Sequence, residues 1–103
     1  MRIIAIRTIQ TGYKKFPAAK QALLAWNEEV ELASWLTPNE LKFQHASASI
    51  ISAKRVVFNI HGNKFRLIVD IEYRLGIVFV VWFGSHKTYD QIDVKTIKYV
   101  KAN

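Results

Sequence analysis

The sequence predicts an α+β fold, a small antiparallel sheet packed on two N-terminal helices, in the rough order β-α-α-β-β-β-α. Three observations carry this. Apolar residues recur at helical spacing through Ala19, Ala22, Leu23, Trp26, Val30 and Ala33. The period changes to two from Lys64 to Arg74. Two tight turn signals, Ile60-His61-Gly62-Asn63 and Arg74-Leu75-Gly76, join three strand-like runs, so consecutive strands run antiparallel.

In chain order, Arg2 to Ile9 is rich in β-branched residues and reads as a short strand, with Gly12 as a break after it. Pro17 suits a first helical turn, and the apolar stripe places one helix over roughly 15–34. Thr37-Pro38-Asn39-Glu40 is a capping-box start, with Thr37 as N-cap and Glu40 as its partner, for a short helix over 38–44. Ala46 to Ala53 is small and polar and reads as a loop. Arg55 to Ile60 is the next strand. In Lys64 to Arg74, Phe65, Leu67, Val69, Ile71 and Tyr73 point one way. Lys64, Arg66, Asp70, Glu72 and Arg74 point the other, with Ile68 as the exception. Ile77 to Phe83 does not alternate, which predicts a central strand covered on both faces. Tyr89 to Val100 has weak helical periodicity.

The 103 residues suit one domain over 1–103. Half are hydrophobic, which argues against a disordered chain. The absence of Cys excludes thiol catalysis, disulfides and Cys-ligated zinc, and favours the cytosol. The longest apolar run, Ile77 to Phe83, is far short of the roughly 20 residues of a membrane span. Arg7 interrupts the apolar opening too early for a secretion signal. Fifteen basic residues against 8 acidic leave a charge of +7, which points to an acidic partner. The charges are clustered: residues 1–27 and 54–66 carry bases and no acid, and residues 28–40 carry Glu28, Glu29, Glu31 and Glu40 and no base.

Three groups bear on chemistry. Arg66 with Lys64 on a polar strand face is either a phosphate clamp or an ordinary solvated face. Gly84 to Asp90 follows the central strand. There His86 is either a proton-transfer group or a strand-end cap, and Tyr89 either stacks on a base or packs in the core. His45, His61 and His86 are too scattered for a metal motif, so no metal site is expected, and His61 reads as a turn residue. Trp26 and Trp35 read as core or interface, and Asp90 and Asp93 as helix-start residues. No phosphate-binding glycine loop, nucleophile elbow or paired-carboxylate motif is present.

The block Phe58-Asn59-Ile60-His61-Gly62-Asn63-Lys64-Phe65-Arg66-Leu67-Ile68, followed by Gly84-Ser85-His86-Lys87-Thr88-Tyr89-Asp90-Gln91-Ile92-Asp93, closely resembles the HigB toxins of bacterial type II toxin–antitoxin systems. These belong to the RelE-like superfamily. Leu23-Leu24-Ala25-Trp26 and Trp35 also look like that family, and the likeness covers nearly the whole chain. Ser85 stands where Thr is usual, which keeps the hydroxyl. The resemblance implies a cytoplasmic bacterial endoribonuclease that cuts messenger RNA on the ribosome without metal or other cofactor. It also implies a HigA-type helix-turn-helix antitoxin, with operator DNA met only through that antitoxin, and no membrane partner. Carried onto this chain, it implies Arg66 as the charge-stabilising group with Lys64 in support, His86 as general acid or base, and Tyr89 as the nucleotide-orienting ring. Lys54, Arg55 and Asn63 are then expected to hold RNA.

A second reading remains: a non-catalytic basic domain that binds RNA or the ribosome and blocks translation. Single-strand-binding sheets expose aromatics on the strand face, whereas the exposed face of Lys64 to Arg74 is charged, which disfavours that kind of module.

Overall fold

A computed structural model describes residues 1–100. The fold is α+β, with a five-stranded mixed sheet in the order β1-β5-β4-β3-β2. The strands are β1 (Arg2–Ile4), β2 (Ser49–Ile50), β3 (Arg55–Ile60), β4 (Phe65–Glu72) and β5 (Ile77–Ser85). The helices are α1 (Ile6–Lys15), α2 (Lys20–Leu32), α3 (Pro38–Gln44) and α4 (His86–Tyr89), with a 3-10 turn at Pro17–Ala19 before α2. β2 to β5 pair antiparallel, as the turns predict, but β1 lies parallel to β5 with Arg2 opposite Ile77.

The N-terminus departs from the sequence reading. The strand ends at Ile4, and Ala5 at φ 64° turns the chain directly into α1. Ile9, Gly12, Tyr13 and Phe16 form a stripe at helical spacing that packs inward, and the β-branched run ahead of it masks this period in the sequence. Gly12 is not a break. It is buried inside α1, where a Cβ would lie 2.5 Å from the Phe83 ring, so glycine lets helix and strand approach. The helix expected over 15–34 therefore begins with the 3-10 turn and continues as α2, burying Leu23, Trp26 and Val30. α3 has the expected bounds and capping box: Glu40 N–H donates to Thr37 Oγ1 at 3.2 Å, and Thr37 N–H to Glu40 Oε2 at 3.0 Å. The loop expected over 46–53 contains the short strand β2. The C-terminal helix is a single turn, α4, and the chain after it runs through turns.

The helices cover one face of the sheet, packing on Val56, Phe58, Leu67, Val69, Ile71, Val78 and Val80. The opposite face is not the open charged surface that alternation alone predicts. Val57, Ile68 and Val81 form a second, smaller core there under Tyr89, Ile92, Val94 and Ile97 of the C-terminal segment. Ile68, the exception to the alternation, belongs to this core. A bulge explains why β5 does not alternate. Ile68 pairs with Trp82 but Val69 with Val80, so Val81 is an extra residue, and it and Trp82 turn to the same face.

Candidate functional site

The β3–β4 hairpin and the end of β5 bring two distant sequence blocks together. The hairpin loop holds His61 at φ 56° and Gly62 at φ 64°. The latter suits glycine; the former is the less favourable left-handed conformation for a side-chain-bearing residue. β4 then pairs with β5 so that Phe65 lies opposite Ser85 and Arg66 opposite Gly84. The His86 N–H donates to the Lys64 carbonyl at 2.9 Å, which fixes the start of α4 beside the hairpin. Ser85 caps α4, its Oγ accepting from the Thr88 N–H at 3.2 Å.

Within this frame, the Arg66 guanidinium lies 5.7 Å from the Tyr89 ring centroid. Its Nη2 donates to Asn63 Oδ1 at 2.6 Å, and its Nη1 to the carbonyls of Asn63 at 3.2 Å and Phe65 at 3.1 Å. A guanidinium has five N–H donors, so the Nε–H and one Nη2–H stay available to a ligand. Tyr89 in turn packs on Trp82 at 6.3 Å between ring centroids. His86 Nε2 lies 3.5 Å from Asp90 Oδ1, one helical turn on, and its side chain is 44% exposed. Among the described residues no carboxylate lies within ion-pairing distance of Lys64 or Arg66. The cluster therefore offers uncompensated positive charge, a ring face and an imidazole within one turn of chain.

Of the seven residues singled out in the sequence, Asn63, Lys64, Arg66, His86 and Tyr89 are brought together. Lys54 and Arg55 are not. Arg55 pairs with Asp70, four residue steps along β3 from the Asn59–Arg66 pair, or about 13 Å at the usual strand rise. Lys54 is exposed and lies 3.3 Å from Glu72. Arg55, expected from the sequence to hold RNA, has four of its donors spent within the protein. Nε and Nη2 each reach a carboxylate oxygen of Asp70 at 2.8 Å, and Nη1 reaches the carbonyls of Ile97 at 2.6 Å and Val94 at 3.2 Å. The hydrogen bonds to Asp70 raise its pKa above the ordinary value against the opposing effect of burial. Arg55 fastens the C-terminal segment to the back of the sheet.

The sequence reading missed two contributors. Asp90, taken as a helix-start residue, faces His86, and the i,i+4 spacing was the available signal. Trp82 underlies Tyr89, which only the bulge makes possible. His45 packs against Trp35 and Phe58, and His61 sits in the same hairpin loop as Asn63, its ring beside Phe65. Among the described residues no three His, Asp or Glu side chains are grouped to hold a metal ion.

An α+β chain with a five-stranded mixed sheet and four helices is compatible with a RelE-like fold. The family model of the HigB toxin, the RelE-like toxic component of a toxin–antitoxin system, matches residues 19–92, and the chain belongs to that family. The match includes every residue of the cluster and omits β1 and α1. The comparison with curated proteins gave no match. Membership makes the protein the toxin of a toxin–antitoxin system and implies a cognate antitoxin partner. Among the described residues no helix is long and apolar enough to cross a membrane.

Proposed function

We propose that this toxin is a messenger-RNA endoribonuclease that cuts on the translating ribosome and is neutralised by a HigA-type antitoxin in the bacterial cytoplasm. The observation that carries the reading is Arg66 held over Tyr89 by Asn63, with His86 on the adjoining turn. RNA supplies its own nucleophile. The 2′-oxygen attacks the adjacent phosphorus and loses its proton. The bond from phosphorus to the 5′-oxygen breaks, and that oxygen takes up a proton. The products are a 2′,3′-cyclic phosphate and a 5′-hydroxyl end.

Arg66 meets the charge that grows on the phosphoryl oxygens through its unspent N–H groups, and Lys64 adds a point charge. This role needs no metal ion. Preorganised charge of this kind is often the largest catalytic contribution. His86 carries a proton transfer, since imidazole exchanges protons near neutral pH. Tyr89 presents its ring to orient the nucleotide, and Asn63 sets the Arg66 fork.

The test is expression of the wild type and the Arg66→Ala/His86→Ala double variant, with 5′-hydroxyl RNA ends mapped across the transcriptome. New ends inside translated frames, absent in the variant, support the reading. Growth arrest without new ends overturns it in favour of a translation blocker that binds without cutting.

A further inference from the structure

One end of the sheet is basic on both of its faces. β3 and β5 finish there and β4 starts there. The corner between α1 and α2 lies beside them: Phe16, just after α1, is 5.2 Å from Phe65 and 6.2 Å from Phe83 between ring centroids. Successive strand residues face opposite ways, so Phe65 turns to this helical corner while Arg66 turns to Tyr89. The cluster therefore occupies one face of the end only. The corner on the other face carries Lys14, Lys15 and Lys20, all exposed, and the chain has no acid before Glu28. Among the described residues no carboxylate lies within ion-pairing distance of the three. Two of the ammonium groups rest on rings, Lys15 at 5.5 Å from the Phe16 centroid and Lys20 at 5.3 Å from that of Tyr13.

We propose that this corner is a second RNA site, which holds helical RNA by its phosphates, and that on the ribosome the RNA it holds is ribosomal and not the message. The assignment to ribosomal RNA rests on the ribosome-directed reading above; the affinity for helical RNA does not. The chemistry of the corner favours a duplex over a single strand. Proteins that hold single strands offer free rings on which bases stack. Here Phe16 packs against Phe65 and Phe83 and meets Lys15, and Tyr13 meets Lys20. What remains outward is point charge, and A-form RNA is met mostly at its phosphates and 2′-hydroxyls. An acidic peptide fits less well, because it needs apolar anchors beside its charges and the rings of the corner are already engaged. A message strand at Arg66 and a duplex at the corner approach the sheet end from opposite faces, so the two do not compete.

The test measures binding of the full chain to an RNA duplex of about 16 base pairs, to an oligouridylate of equal length and to isolated small ribosomal subunits, over a range of salt. The Lys14→Gln/Lys15→Gln/Lys20→Gln variant should bind the duplex at least about tenfold more weakly, with its salt slope reduced by about three. It should keep its oligouridylate affinity and lose its hold on the subunits. The matching triple Lys→Arg variant, which keeps the charge, should restore both losses, so a misfolded glutamine variant is recognised. Four results overturn the proposal: duplex binding unchanged in the glutamine variant, duplex and oligouridylate lost equally, subunit binding retained while duplex binding falls, or a polyglutamate peptide displacing the duplex as readily as a second duplex does. Corner-dependent duplex binding by a chain that cuts no RNA retains this inference and discards the ribonuclease reading. Cutting on the ribosome with a corner indifferent to duplex does the reverse.

Discussion

The guanidinium of Arg66 and the ring of Tyr89 are 23 residues apart in sequence and face each other at 5.7 Å. The antiparallel register of β4 and β5 causes this, by setting Arg66 opposite Gly84 and so bringing α4 over the β4 side chain. Gly84 is needed there: a Cβ would lie 2.5 Å from the Trp82 ring, the surface on which Tyr89 rests. The site depends on strand register, an arginine and two aromatic rings packed at a tilt.

Arg66→Ala should abolish cleavage while leaving the fold intact. The side chain sits at the edge of the second core, so its removal should cost no more than about 0.5–1 kcal/mol in urea unfolding. Loss of an oriented charge should lower the single-turnover cleavage rate by at least about 100-fold. Arg66→Lys should recover only a small part, since an ammonium cannot keep the Asn63 contacts and also present a fork to phosphate. Full activity in Arg66→Lys would remove bidentate recognition from the mechanism.

His86→Ala should lower the same rate by about 10²–10⁴-fold with little change in ribosome affinity, because a proton-transfer group acts on the chemical step. Asp90→Asn keeps the side-chain shape while removing the carboxylate 3.5 Å from His86 Nε2, and should lower the rate without abolishing activity. A His86→Ala chain that cuts normally but binds ribosomes weakly would make His86 a contact residue. Binding itself should weaken steeply as salt rises, given the +7 charge.

Much of this was legible in the sequence because local rules and tertiary packing agree there. The Thr37–Glu40 capping box, the glycine-bearing turns and the buried faces of α2 and β4 follow from spacing alone. Legibility fails where a long-range neighbour decides. Ile6 to Ile9 has strand-forming residues, yet the turn at Ala5 and packing of Gly12 on Phe83 make it helix. Arg55 was indistinguishable from Lys54 as a surface cation. Only the β3–β4 register, which puts it opposite Asp70, and the return of the chain to Val94 and Ile97 separate the two. The resemblance located the cluster, but only the fold shows which of the basic residues join it.

His45 predicts an acid-side loss of stability. Burial lowers its pKa below the ordinary 6.5, outweighing the opposing effect of Glu29, whose carboxylate is 3.8 Å from Nε2. The ring packs edge-on against Trp35 and Phe58. A depressed folded-state pKa means that the unfolded chain binds the proton more readily, so stability rises with pH through that range. The contribution is complete above about 6.5 and is lost as pH falls towards the lowered folded value. Urea midpoints between pH 5 and pH 8 should show a steeper acid-side decline for wild type than for His45→Gln. Parallel curves would show that His45 stays uncoupled from folding.

Arg55→Ala should damage stability rather than RNA binding. Its side chain is only 12% exposed, and Asp70 is 35% exposed. Removing the guanidinium leaves the carboxylate without its bidentate partner and frees the carbonyls of Val94 and Ile97. Breaking a fully buried pair costs about 3–5 kcal/mol. The partial exposure of Asp70 reduces that to about 2 kcal/mol, read from urea unfolding. The segment that loosens begins just after Tyr89, so Trp82 fluorescence should change as its neighbour moves. Arg55→Lys should restore a fraction of the stability, because one ammonium cannot serve both carboxylate oxygens and two carbonyls. The salt dependence of ribosome binding should keep its wild-type slope in Arg55→Ala, since a cation already committed to Asp70 releases no counterion from RNA. A slope reduced by about one with stability unchanged would make Arg55 an RNA contact after all.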